Sequence, residues 1–158
     1  MTPPERAAST IDSALRSAFA GRRVLLTGHT GFKGSWLALW LAELGAHVSG
    51  YSLPPPTDPD LFTAAGVRDV LADHSIGDVR DLDAFAAAWQ RAKPEIVFHL
   101  AAQPLVRESY RDPLTTVGTN VVGVANALEI ARTISTDMGP PRAVVVVTSD
   151  KCYENREW

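Results

Sequence analysis

The sequence predicts an α/β fold with a doubly wound parallel sheet, and three observations lead to this prediction. Apolar runs rich in β-branched residues alternate with helical patterns along the chain, which gives five strands. The first run, at residues 24–27, leads directly into a glycine-rich turn and an apolar helix. The last run, at residues 143–147, is an unbroken valine series after one alanine, typical of a strand buried on both faces of a parallel sheet. The pattern is Rossmann-like.

The composition is that of an ordinary globular domain. Of the 158 residues, 46% are hydrophobic and 21% charged, and the formal net charge is −3 with both signs mixed along the chain. Nucleic acid and membrane are therefore not expected as partners. The single cysteine, Cys152, excludes an internal disulfide, and the first residues lack the apolar core of a signal peptide. We expect a cytoplasmic protein without a metal site.

The order of elements can be followed along the chain. We expect residues 1–20 to form a loose tail, up to residue 9, and then a helix, with a dinucleotide-binding domain over residues 21–158. The helix from Gly34 is apolar on almost every side, so we expect it to be buried. The other strands are expected at residues 46–51, 70–76 and 96–100, and the other helices at residues 61–65, 82–92 and 112–134.

Glycines at positions 28, 31 and 34 connect the first strand to its helix. In a dinucleotide-binding turn, Gly28 makes the tight turn, Gly31 lets the backbone approach a pyrophosphate, and Gly34 lets the helix pack closely on the sheet. An ordinary glycine-rich turn is the alternative, and the flanking strand and helix favour phosphate binding. A Walker-type loop is excluded because Lys33 precedes Gly34 instead of following a glycine.

Three further positions at strand ends are candidates. Ser52, at the end of the second strand, is a candidate partner for a ribose hydroxyl. The acidic residue typical of NAD sites and an arginine for a 2′-phosphate are both missing there, which leaves NAD and NADP open. Asp78 follows the third strand and either accepts from an adenine amino group or caps the next helix, for which Asp81 is the better cap. His99 lies between apolar residues, which favours a core histidine over a general base.

Four segments carry recognisable motifs: residues 27–36, 77–81, 99–107 and 148–158. Together they resemble the NAD-dependent sugar-nucleotide dehydratases of the extended short-chain dehydrogenase/reductase superfamily, and within them the members that act on CDP-glucose. The proline-rich residues that follow Tyr51 and the lysine at position 151 fit the CDP-glucose members better than the dTDP-glucose members, which have Glu at that position. The resemblance covers about residues 20–158.

The resemblance implies a cycle in which NAD takes a hydride from C4 of the sugar, water is lost across C5 and C6, and the hydride returns to C6. The product is CDP-4-dehydro-6-deoxyglucose, a precursor of the deoxy sugars of surface polysaccharides. Ser149 would hydrogen-bond the C4 oxygen, Asp150 would protonate the departing C6 hydroxyl, and Lys151 would assist removal of the C5 proton; a solvated turn is the alternative. The implied cofactor contacts are Phe32, Lys33, Asp78, Val79, Leu100, Ala101, Ala102, Gln103 and Thr119.

One departure from the family pattern is large. These enzymes carry a Tyr-x-x-x-Lys pair after the fifth strand, and no such pair occurs in the 158 residues. Four residues after Tyr153, where the pair would have lysine, the chain has Glu157. We therefore expect the amino-terminal part of a longer protein, without its substrate domain and inactive alone. The edge strand at residues 144–147 would then be exposed and would favour a homo-oligomer. A non-catalytic dinucleotide-binding or interaction protein and a related epimerase or dehydratase are the alternatives, and a Tyr-x-x-x-Lys beyond Trp158 discriminates between binding module and enzyme.

Overall fold

The computed structural model describes residues 3–134, 139–149 and 154, and its centre is one parallel sheet of five strands. The strand order is β3-β2-β1-β4-β5, so the direction in which strands are added reverses between β1 and β4. The predicted doubly wound sheet is confirmed. The strands are β1 (Arg23–Thr27), β2 (His47–Ser52), β3 (Asp73–Ile76), β4 (Ile96–His99) and β5 (Ala143–Val146).

Helices cover both faces of this sheet. They are α1 (Pro3–Phe19), α2 (Phe32–Glu43), α3 (Leu61–Ala64), α4 (Leu82–Ala92), α5 (Val106–Arg111), α6 (Pro113–Val117) and α7 (Gly123–Thr133), with a 3₁₀ turn at Val67–Val70 and a π turn at Gly118–Val122. None of the helices within the described ranges combines the length and apolarity that crossing a membrane requires.

The core has two halves because side chains alternate along each strand. Leu25 points to the half formed with α4 and α7, whereas Val24 and Leu26 point to the half formed with α2 and α3. In the first half, Trp89 is fully buried. The ring of Tyr51 stacks on the ring of Phe85 in α4, with centroids 5.0 Å apart. The sheet is thus covered on both sides.

Two expectations about the first helices are wrong. Helix α1 begins at Pro3, so residues 3–9 are not a loose tail; proline is tolerated in a first helical turn, where its missing N–H costs nothing. Helix α2 is not buried all round, because the sheet covers only one side of it. Phe32, Trp36 and Trp40 are exposed by 70%, 56% and 54%. The boundary expected at residue 20 stays a prediction.

The other differences lie where turns replace regular structure. The strand expected from residue 70 begins only at Asp73, because Gly66, with φ of 61°, turns the chain into the 3₁₀ turn first. The long helix expected to residue 134 is interrupted by the π turn, and helix α5 was not expected at all. The caps of α4 and α6 are confirmed, since Asp81 and Asp112 each accept a hydrogen bond of 3.0 Å from a backbone N–H.

Strand β5 differs from the prediction of a strand buried on both faces. It pairs with β4, and no strand pairs with its other side in the part of the chain that the structure describes. The side chain of Val145, which points to a face of the sheet, is 42% exposed. The valine series therefore forms an apolar sheet edge, which is the arrangement that self-association would cover.

Candidate functional site

The glycine turn lies at the carboxyl ends of β1 and β4, where the strand order reverses and where open α/β sheets bind their ligands. Gly28 has φ of 74°, and its N–H donates to the carbonyl of Tyr51 at 3.0 Å. A Cβ at Gly28 would lie 2.8 Å from the backbone nitrogen of Ala101, and a Cβ at Gly34 would collide with the carbonyl oxygen of Gly28. The tight turn and the close helix packing are thus confirmed.

The amino end of α2 is open to an anion. Gly31 occupies the N-cap position, so the cap residue offers no side-chain acceptor to the first helical N–H groups. Such N–H groups, together with the helix dipole, favour a negative charge. Gly31 has φ of −78° and room for a Cβ at contact distance, 3.4 Å from the nearest oxygen. Its need for glycine would therefore come from a ligand, and the phosphate contact stays a prediction.

Thr27 joins the two strand ends and was missed by the sequence analysis. Its buried Oγ1 accepts hydrogen bonds from the N–H groups of Leu100 and Ala101, each at 3.1 Å, and lies 3.0 Å from Nδ1 of His99. Because two amides occupy its lone pairs, the hydroxyl donates to His99. The signal in the sequence was a polar residue closing an apolar strand. His99 is buried, and burial lowers its pKa, so the core histidine is confirmed.

The chain after β4 is fixed to the π turn by an amide pair. The N–H of Gln103 donates to Oδ1 of Asn120 at 2.8 Å, and Nδ2 of Asn120 donates back to the carbonyl of Gln103 at 3.0 Å. The side chain of Gln103 also donates to Oγ1 of Thr116 at 2.9 Å. Thr119, the neighbour of Asn120, is half-buried in the same turn. The structure thus brings the predicted residues 103 and 119 to one place through Asn120, which sequence reasoning had not singled out.

Ser52 connects β2 to the glycine turn. Its buried hydroxyl lies 2.8 Å from Oγ1 of Thr30, which itself donates to the carbonyl of Leu53 at 2.8 Å. Because Thr30 uses its proton on Leu53, Ser52 must donate to Thr30. The ribose contact of Ser52 stays a prediction, and Thr30 is a further residue of this site that the sequence analysis did not name.

Asp78 is held by Arg80. The guanidinium donates to the carboxylate through Nη2 at 2.6 Å and Nε at 2.9 Å, and the backbone N–H of Arg80 donates at 2.9 Å. These bonds lower the pKa of Asp78, so its carboxylate is ionised and oriented. The alternative role of Asp78 as a helix cap is wrong, since Asp81 caps α4. Val79 is buried against Gly123, and its carbonyl accepts a hydrogen bond of 2.9 Å from Nδ2 of Asn126, so its contact with a cofactor stays a prediction.

Comparison with known proteins gives the family. The family model for GDP-mannose 4,6 dehydratase matches residues 25–156. The chain belongs to this family. The CDP-glucose 4,6-dehydratase of Salmonella typhimurium is 52% identical over 143 residues, which are 90% of this chain and 38% of that protein. The dTDP-glucose 4,6-dehydratase 1 of Escherichia coli is 32% identical over 118 residues, 70% of this chain and 31% of that protein. The chain thus spans less than half the length of these relatives.

Solved structures agree with this placement. MoeE5 in complex with UDP-glucose and NAD matches with a TM-score of 0.63 at 26% identity, over 85% of this chain and 38% of its own. A UDP-glucose-4-epimerase of Stenotrophomonas maltophila, with bound NAD and formylated UDP-arabinopyranose, matches with a TM-score of 0.71 at 24% identity, over 87% of this chain and 40% of its own, and supports the fold alone. The resemblance to the extended short-chain dehydrogenase/reductases is confirmed.

Within this GDP-mannose 4,6 dehydratase family fold, the expected catalytic residues follow β5. Ser149 is exposed three residues beyond the strand, whose continuation is fixed by a bond of 3.0 Å from the N–H of Val147 to the carbonyl of His99. Asp150 and Lys151 lie outside the described residues. Between residues 3 and 134, at 139–149 and at 154, no group of three or more acidic, cysteine or histidine residues is arranged to hold a metal.

Proposed function

We propose that the chain is the NAD-binding part of a sugar-nucleotide 4,6-dehydratase, a lyase of the cytoplasm that acts on CDP-glucose. One observation carries the proposal: the open amino end of α2 faces the point where the strand order reverses, in a chain 52% identical to a CDP-glucose 4,6-dehydratase. Anions bind at such helix ends because the first N–H groups have no partner within the helix. The product would be CDP-4-dehydro-6-deoxyglucose, for deoxysugar and polysaccharide biosynthesis.

The residues of the site fit a dinucleotide from one end to the other. The pyrophosphate would lie at the turn of Gly28, Gly31 and Gly34, with Phe32 and Lys33 beside it. Asp78 is an ionised acceptor of fixed orientation, suited to the amino group of adenine. Ser52 would bind a ribose hydroxyl. The residues after β4 would lie against the nicotinamide end together with Thr119. They are Leu100, Ala101, Ala102 and Gln103, and the two alanines leave room for a flat ring.

NAD, when bound, supplies the hydride acceptor of the cycle, and the match to MoeE5, solved with bound NAD, supports it over NADP. In the proposed mechanism Ser149 donates a hydrogen bond to the C4 oxygen of the sugar, where charge changes during oxidation. Asp150 gives a proton to the departing C6 hydroxyl, and Lys151 assists removal of the proton from C5. The chain alone is proposed to be inactive, since the Tyr-x-x-x-Lys pair of these enzymes is not among its 158 residues.

The same absence favours a second candidate for this chain, a dinucleotide-binding or interaction protein without catalysis. A related sugar-nucleotide epimerase or dehydratase that uses another nucleotide is the third. Exposed apolar residues support a homo-oligomer for all three, because water does not stabilise such a surface. Four of them recur on the α6–α7 segment at spacings typical of one helix face: Leu114, Val117, Val121 and Leu128.

The test begins with the intact mass of the protein as its own source produces it, followed by titration of that protein with NAD and NADP. We expect NAD to bind, and failure of NAD to bind would overturn the proposal. Incubation with NAD and CDP-, dTDP- or UDP-glucose, followed by mass spectrometry of the sugar nucleotide, then tests the reaction. A chain of 158 residues should bind NAD and release no dehydrated product, whereas a longer protein with the Tyr-x-x-x-Lys pair should dehydrate CDP-glucose. Dehydration of another nucleotide sugar in preference would support the related enzyme instead.

A further inference from the structure

Two histidines are joined behind the glycine turn. His29, between Gly28 and Thr30, is fully buried, and its Nε2 lies 2.8 Å from Nδ1 of His74 on β3. The ring of Phe62 packs on both imidazoles, with centroids 5.5 Å from that of His29 and 5.2 Å from that of His74. The spacing of the glycines does not require a histidine at position 29, and the proposed reaction does not use one.

His29 connects the turn to three other elements. On β2, a Cβ at Gly50 would lie 2.5 Å from the imidazole carbons of His29, so the ring occupies the space that the missing side chain leaves. On α2, Oγ of Ser35 donates to the carbonyl of His29 at 3.0 Å. On β3, the contact is the hydrogen bond to His74. The ring of His29 thus connects the turn to β2 and β3, and its carbonyl connects the turn to α2.

The hydrogen bond between the two rings requires one proton between two facing nitrogens. Burial and the nearby His74 lower the pKa of His29 to about 4, and burial and Arg68 lower the pKa of His74. In the opposite direction, the charge of Asp73 raises the pKa of His74, and the backbone of Tyr51 raises the pKa of His29. When both rings are charged, both facing nitrogens carry protons, and the bond is lost.

We propose that the His29–His74 hydrogen bond is a positioning contact that holds residues 28–31 in their nucleotide-binding shape only while the pair is not doubly charged. The inference rests on the proposed function, because NAD is the ligand whose affinity reports it. The sign follows from linkage: a released turn returns the imidazoles to their ordinary pKa near 6.5, so protons favour release. NAD affinity should be constant above about pH 7 and fall by up to about tenfold per pH unit below about pH 6.5.

The variants separate the hydrogen bond from the charge of His74. His74→Asn places an amide atom near the position of Nδ1, which preserves a hydrogen bond to His29 and leaves His29 as the one titrating ring of the pair. His74→Leu removes the hydrogen bond and leaves an apolar side chain. His47→Asn is the matched control, because His47 is an exposed histidine of β2 outside the pair. Circular dichroism checks that each full chain folds.

Dissociation constants for NAD are measured at about pH 7.5 and about pH 5.5. The wild type and His47→Asn should bind about tenfold more weakly at the lower pH, and His74→Asn, in which His29 alone still titrates, should show a smaller loss than the wild type. His74→Leu should be about tenfold weaker than the wild type already at the higher pH. Hydrogen exchange of residues 28–35 without NAD, scaled to the intrinsic rate at each pH, should be faster in His74→Leu and unchanged in His74→Asn.

The outcomes distinguish the two proposals. If His74→Asn keeps the pH dependence of the wild type, or if His74→Leu matches the wild type in exchange and affinity, the positioning contact is overturned. A third outcome is that NAD does not bind the wild type, while hydrogen exchange of residues 28–35 is faster in His74→Leu and unchanged in His74→Asn. The positioning contact would then be supported, and the proposal of NAD binding would be rejected. If His47→Asn also loses the pH dependence, the effect does not belong to the pair and the proposal fails.

Discussion

The glycine turn and the residues after β5 both lie at the carboxyl ends of the strands of one sheet, but they differ in how closely the chain packs around them. At the turn, backbone from two strands and a helix meets so closely that neither Gly28 nor Gly34 has room for a Cβ. At β5, one neighbouring strand provides all the pairing that the described residues show, and Val145 stays largely exposed. The glycine turn is thus surrounded by close backbone contacts, whereas the residues expected to catalyse follow a strand that is paired on one side in the described part of the chain.

The difference teaches which properties each region controls. Close backbone approaches leave no space for adjustment, so substitutions at the turn should change both stability and NAD affinity. Substitutions at the open edge should leave the fold nearly unchanged and alter association instead, because exposed residues contribute little to folding. The experiments below test this contrast from both sides.

The largest effect is expected for Gly28→Ala. Its φ of 74° disfavours alanine, and the new Cβ would meet the backbone of Ala101 at 2.8 Å, which no side-chain rotation relieves. We expect a loss of about 3 kcal/mol in unfolding free energy, made of backbone strain and overpacking, and NAD affinity reduced more than about tenfold. Urea denaturation and NAD titration measure the two quantities.

Gly21→Ala is the matched control for Gly28→Ala. Gly21 has nearly the same φ, 71°, but nothing lies within 4 Å of its Cβ position. This variant should lose only about 1 kcal/mol, the cost of the backbone conformation alone, and should bind NAD as the wild type does. Equal losses at the two glycines would show that the close approach to Ala101 contributes nothing.

The next effect is expected for Thr27→Val. The substitution keeps the shape of the side chain but removes the oxygen that serves two backbone N–H groups and His99. We expect a loss of about 2 kcal/mol by urea denaturation, because buried polar groups lose their partner, with weaker NAD binding as the loop after β4 loosens. Thr27→Ser keeps the hydroxyl and should lose about half as much or less. Equal stability of the two variants would contradict the role given to Oγ1.

The sequence predicted the sheet, the glycine turn and most element boundaries because each depends on local patterns. Alternating apolar segments, glycine spacing and caps such as Asp81 are encoded within a few residues. The exposure of Trp36 and the π turn that begins at Gly118 could not be predicted in this way, because both depend on which elements pack together. At the π turn, Gly118 lies against Arg80, and Gly123, the next residue after it, lies against Val79.

The site was predictable to the same extent. The glycines and Asp78 stand in recognisable positions, but the partners that fix them come from distant parts of the chain. The sequence did not predict the hydrogen bonds from Arg80 to the carboxylate of Asp78. It also did not predict the hydrogen bond from Gln103 to Asn120, which lies seventeen residues further along the chain. His29 and His74 are 45 residues apart, and only the pairing of β2 with β3 brings the second histidine behind the turn.

An intermediate effect is expected at the open edge. Val145→Lys places a charge on β5, which should oppose edge-to-edge pairing and the burial of the valines. Ile76→Lys is the control on the opposite edge strand, β3, where Ile76 is 52% exposed and Val145 is 42% exposed. Light scattering over a concentration series should show self-association of the wild type and of Ile76→Lys, and a shift of about tenfold toward monomer for Val145→Lys. A wild type that remains monomeric throughout would contradict the expected homo-oligomer.

The smallest effect is expected for the ion pair of Arg80 and Asp78, at the proposed adenine end of the site. The guanidinium of Arg80 lowers the pKa of Asp78, but both groups are partly exposed, so Arg80→Gln should cost less than about 1 kcal/mol of stability. Because the pKa of Asp78 is lower in the folded chain, this contribution is present above its ordinary value and disappears as pH falls through the folded one. Carboxyl chemical shifts followed by NMR should show the pKa of Asp78 rising in the variant, with NAD binding weakened by about threefold as the carboxylate loses its fixed orientation. An unchanged pKa would mean that the short contacts of Arg80 do not stabilise the charged carboxylate.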